Sequence, residues 1–71
     1  MSDYPCIASL SVHEWAWNGK EYVCLTGERG FGGYTVEIMT ASGSTRFVVN
    51  TYQVIRICPA QQARLRMEWG M

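Results

Sequence analysis

Ser11-Val12-His13-Glu14-Trp15-Ala16-Trp17-Asn18-Gly19-Lys20-Glu21-Tyr22-Val23-Cys24-Leu25-Thr26 is the stretch whose reading decides the fold. Asn18-Gly19 suits a type I′ turn, whose two central residues both need positive φ. The flanks, 8–17 and 20–26, read as two strands of a hairpin. A two-residue loop then sets the register: Trp17 faces Lys20, Trp15 faces Tyr22, and His13 faces Cys24. Because side chains alternate along a strand, these residues share one face. The other face carries Val12 opposite Leu25, Glu14 opposite Val23 and Ala16 opposite Glu21. One side of the hairpin is thus rich in aromatics and the other is mixed.

Downstream, Gly27-Glu28-Arg29-Gly30-Phe31-Gly32-Gly33 places four glycines in seven residues and reads as a long, mobile hairpin loop. A third strand is expected from Tyr34 to Thr40, with Tyr34, Val36 and Ile38 on one side and Thr35, Glu37 and Met39 on the other. Ala41-Ser42-Gly43-Ser44 reads as the next turn, Thr45 to Thr51 as a fourth strand and Tyr52 to Cys58 as a fifth. After Pro59 the chain alternates again, with Ala63, Leu65, Met67 and Trp69 apolar between Arg64, Arg66 and Glu68. Period two favours a sixth strand. The competing reading is a short C-terminal helix with Pro59 at its first position, since Ala, Gln, Arg, Leu and Met are good helix formers.

The fold class expected from this pattern is all-β, mainly antiparallel. It would be a small SH3-like or OB-like barrel of five or six strands, or a strongly curved sheet. Closure would remove exposed strand edges, and a sandwich usually needs about 100 residues. The 71 residues make one domain. A domain this short buries only about 60% of the surface its unfolded chain exposes, so a partner or a second copy would add needed burial. Apolar residues make up 48% of the chain, which excludes a disordered composition.

Net charge is zero, which argues against a general nucleic-acid binder. The charge is nonetheless uneven. Asp3, Glu14, Glu21, Glu28 and Glu37 outweigh Lys20 and Arg29 in the first forty residues, while Arg46, Arg56, Arg64 and Arg66 outweigh Glu68 in the rest. Three cysteines, Cys6, Cys24 and Cys58, cannot close a disulfide framework. The polar opening of the chain carries no secretory signature, so a reducing, cytoplasmic location is expected. No apolar run approaches the ~20 residues of a membrane helix.

Catalysis is not expected. His13 is the only histidine and pairs with Cys24 in the hairpin register, but no orienting third group accompanies them. Cys6, His13, Cys24 and Cys58 number four, as a structural zinc requires, yet the close cysteine pairs of such sites are missing. No metal or other cofactor is therefore expected. The glycine stretch matches neither GxGxxG nor a phosphate-loop signature.

Binding is the better expectation. Trp15, Trp17 and Tyr22 are either core rings or, with Arg29 and Phe31, an exposed patch of the residue types enriched in interface hot spots. The leading reading is a non-enzymatic protein-interaction module using those five residues. It would be a small regulator or inhibitor of the kind phages and mobile elements encode, or a subunit of a larger assembly; a homo-oligomer is compatible with it. The rival is a small-barrel nucleic-acid binder using Arg46, Arg56, Arg64 and Arg66, with Tyr34, Phe47 or Tyr52 for stacking.

Overall fold

The computed structural model describes residues 5–29 and 31–70. Its strands are Trp15–Trp17 (β1), Tyr22–Arg29 (β2), Thr35–Thr40 (β3), Thr45–Val49 (β4) and Ile55–Arg56 (β5), followed by a helix, Pro59–Trp69 (α1). The strands form one antiparallel sheet in the order β4-β3-β2-β1-β5. The mainly antiparallel expectation holds. The sheet is not closed into a barrel: β4 and β5 lie at opposite ends and do not pair.

Both faces of the sheet bury side chains. One carries Ala16, Val23, Leu25, Val36 and Ile38, sealed by Ile7, Leu10 and Val54. A short 3-10 turn at Ile7–Ser9 supplies this lid. It is pinned where Ile7 N–H donates to Tyr52 O (2.7 Å) and Val54 N–H to Pro5 O (3.0 Å). The other face carries Trp15 and Cys24 beneath Leu65 of α1, with Tyr22, Met39, Ile57 and Trp69 around them.

The hairpin register differs from the expected one by two residues. Trp17 pairs with Tyr22, Ala16 with Val23 and Trp15 with Cys24. The cause is Asn18. Its Oδ1 accepts from both Lys20 N–H (2.8 Å) and Glu21 N–H (2.7 Å), which holds residues 18–21 as a four-residue loop. A shift of two preserves the faces, so Trp15, Trp17, Tyr22 and Cys24 still lie on one side.

The first strand is also shorter than 8–17, because the chain bends at His13. Its φ is +73°, the sole positive value among the described non-glycine residues. His13 N–H donates to Leu25 O (2.6 Å) and Leu25 N–H donates to Glu14 O (3.2 Å), so two residues oppose one. This is a β-bulge with its left-handed position filled by histidine where glycine is usual. The glycine stretch is more ordered than a mobile loop: Glu28 and Arg29 end β2, and Phe31–Gly33 form a 3-10 turn. Gly30 lies outside the described residues.

The C-terminal segment is helical, not a sixth strand. Pro59 sits in the first turn, and Gly70 closes the helix at φ +70° with its N–H on Arg66 O and Met67 O. Alternation along 63–69 misled because only Leu65 is fully buried and Trp69 half-buried, four residues apart on one helical face. The fifth strand is two residues long. Gln62 of α1 takes over where it stops: its Oε1 accepts from Trp15 N–H (2.9 Å) and its Nε2 donates to Trp15 O (2.5 Å). No described helix is long and apolar enough to cross a membrane.

Candidate interaction surface

The aromatic residues expected to bind a partner divide between core and rim. Trp15 is completely buried, 6.1 Å from the Trp69 ring, and its indole N–H has no acceptor among the described residues. A docked α1 therefore removes Trp15 from any surface, which corrects the exposed-patch expectation for this residue. Trp17 and Tyr22 are half-buried and pack edge-to-face with centroids 4.9 Å apart. Trp17 also walls a shallow niche with Asn18, Gly19, Gln53, Val54 and Ile55. The side chains of Arg29 and Phe31 lie outside the described residues.

The four arginines do not converge. Arg46 is on edge strand β4, 3.7 Å from Glu21, and Arg64 is exposed on α1. Arg56 and Arg66 line one cleft of about 530 Å³ between α1, β5 and the turn before β1. Glu14 occupies that cleft as well. Its Oε2 lies 3.1 Å from Arg56 Nη1, and its Oε1 accepts from Ser11 N–H (2.9 Å). Arg66 Nε reaches only His13 O, at 3.5 Å. Glu14 thus offsets one of the two guanidinium charges that line the cleft.

The cysteines and His13 do not form a site. Cys6 and Cys58 are exposed and Cys24 is buried. Burial pushes the Cys24 thiol from 9.0 up to about 11, opposed in part by the positive charge of Arg66. A thiol held neutral in this way is a poor nucleophile. Among the described residues, no three His, Cys, Asp or Glu side chains gather as metal ligands.

Within the sheet, the most accessible apolar side chains lie on β4. Phe47 is 59% exposed and Val49 is 55% exposed. Phe47 and Val49 sit opposite Glu37 and Thr35 on the face that α1 covers, but on the half α1 does not reach. The backbone is open there too. Asn50 N–H donates to Tyr34 O (2.8 Å) and Thr40 N–H to Ser44 O (2.8 Å), which fixes the phase of the β3–β4 ladder. Arg46 and Val48 then turn their N–H and C=O groups towards β3, and Thr45, Phe47 and Val49 turn theirs outward. Among the described residues no strand pairs with that outer edge.

Sequence reasoning placed Phe47 only as a possible stacking ring. The strand Thr45-Arg46-Phe47-Val48-Val49 is β-branched or aromatic at four of five positions, and that signal was legible. What could not be read was its place at the sheet's end. Comparison with protein-family models, curated proteins and solved structures finds no match, so the surface is interpreted on its own geometry.

Proposed function

We propose that this chain is a non-enzymatic protein-interaction module that engages another protein through the outer edge of β4. The observation that carries this reading is the coincidence of a strand edge left unpaired among the described residues with exposed Phe47 and Val49 along it. Soluble proteins commonly blunt such edges with lysine, proline, a bulge, an inward charge or a covering loop. β4 contains no lysine, proline or bulge, and among the described residues no strand pairs with its outer edge. Its one charge, Arg46, points to the opposite face and is engaged by Glu21. An added strand gains affinity from main-chain hydrogen bonds, and alternate side chains supply specificity. Phe47 and Val49 are those alternate side chains, and an aromatic anchor is a frequent hot spot. A small regulator, an inhibitor or a subunit of a larger assembly would use such a surface.

The test is paired capture from the native source with three baits: the wild type, Phe47→Lys, and Met67→Lys as a control on α1, where Met67 is 85% exposed. The reading expects a protein retained by the wild type and by Met67→Lys but lost by Phe47→Lys, with unchanged circular dichroism. Equal retention on all three baits, or loss on the helix variant alone, contradicts it.

A further inference from the structure

We infer that the β4 edge also recognises a second copy of this chain, through antiparallel β4–β4 pairing about a two-fold axis at Phe47. The inference rests on the reading of β4 as the interaction edge and names one occupant for it.

Four observations fit a second copy as the occupant. First, the hydrogen-bonding groups match. With Phe47 opposite its symmetry mate, the two Phe47 residues exchange N–H and C=O bonds, and each Val49 N–H meets the partner's Thr45 carbonyl. Each Thr45 N–H meets the partner's Val49 carbonyl, which also accepts from Tyr52 N–H at 3.0 Å and has a second lone pair free. Only the outward residues Thr45, Phe47 and Val49 are used, so the β3–β4 ladder is untouched.

Second, no like charges lie directly opposite each other; the two Arg46 side chains are diagonal neighbours on the face away from Phe47. Arg46 lies opposite the partner's Val48 in this register, and its guanidinium stays with Glu21 of its own chain. Third, the apolar side chains merge. Two Phe47 rings and two Val49 side chains form one strip on the face left open by α1, each shielding its neighbour's flank from water. Fourth, the chain is neutral, so two copies approach without net repulsion. An isologous contact of this kind closes at two copies because it consumes both free edges, whereas a heterologous edge contact would propagate.

Five paired residues fall well short of the ~1,200 Å² of a strong interface, so the dimer is weak and concentration-dependent. The experiment is sedimentation equilibrium from about 10 μM to about 1 mM, the range in which weak association is read. The wild type should rise from one chain mass towards two. Phe47→Lys alone and Phe47→Glu alone, each placing like charges across the axis, should remain at one chain mass. An equal mixture of the two variants should regain the mass of two chains, because lysine then faces glutamate. A wild type that stays monomeric throughout overturns the inference. A dimer that survives in both single variants, or a mixture that fails to associate, overturns it as well. If the wild type is monomeric but the capture experiment still loses a protein with Phe47→Lys, only the second-copy inference falls. If capture is also unaffected, the reading of β4 as an interaction edge falls with it.

Discussion

At the scale of single residues, two side chains shape the local structure against their ordinary preferences. His13 holds a left-handed backbone at φ +73° because the bulge opposite Leu25 requires it. Non-glycine residues in that region lose about 1 kcal/mol or more to the contact of Cβ with the carbonyl. Replacing His13 with glycine should therefore raise stability by about 0.5–1 kcal/mol, after the entropy glycine adds to the unfolded chain is deducted. A urea midpoint that falls in His13→Gly would contradict this account of the bulge. Cys24 is the second case. Its thiol is raised from 9.0 to about 11 by burial under α1, so the folded state keeps the proton longer than the unfolded state does. Between these values the unfolded chain binds fewer protons, and stability falls as pH rises. Stability attributable to this group is flat below pH 9, declines from 9 to 11, and loses that dependence in a Cys24→Ala variant. Comparing chemical denaturation of both proteins across that window gives the check.

The hairpin shows how much a single polar side chain can hide from a sequence reading. Alternation around Asn18-Gly19 placed the correct residues on each face, yet the pairing was off by two. The faces survive because the shift is even; the pairs do not, because Asn18 Oδ1 caps Lys20 and Glu21 instead of leaving a two-residue turn.

At the scale of elements, α1 decides which aromatics are core. Its sequence reads as a strand by period and as a helix by composition, and Pro59 with Gly70 resolves the conflict in favour of the helix. Once docked, α1 places Leu65 and Trp69 over Trp15, so the ring expected at a binding surface becomes the centre of the second core. Gln62 makes the docking specific. Its amide bonds both the N–H and the C=O of Trp15, completing the edge of β1 beyond the two residues of β5. Gln62→Ala strands those two part-buried backbone groups, and the expected cost is about 1–3 kcal/mol. The measurement is a shift in denaturant midpoint together with a wetter tryptophan emission. An unchanged midpoint would show that α1 docks through Leu65 and Trp69 alone.

At the scale of the whole molecule, an open sheet leaves two edges, and they are treated differently. Beside β5, residues 5–8 run along 50–54, with Cys6 bridged to Gln53, and Gln62 caps β1. The β4 edge has no pairing strand among the described residues and carries exposed Phe47 and Val49. Strand content and antiparallel pairing were legible in turn residues and alternation. Which strand would be last was not, because the order of strands follows from long-range packing and no local pattern encodes it. The closed or nearly closed barrel among the expected forms rested on the need to remove edges, while the strongly curved sheet, its stated alternative, agrees with the open sheet observed. This chain leaves one edge open, and that difference is the basis of its proposed role.

The most direct measurement is residue-resolved amide hydrogen exchange along β4, first in dilute solution and then at high concentration or with the captured partner. The account predicts alternation in the dilute protein: Arg46 and Val48 protected, and Thr45, Phe47 and Val49 exchanging as open amides. On association those three become protected while Arg46 and Val48 are unchanged. Protection of Phe47 in the dilute monomer, or exchange at Thr45, Phe47 and Val49 that no bound species slows, would contradict it.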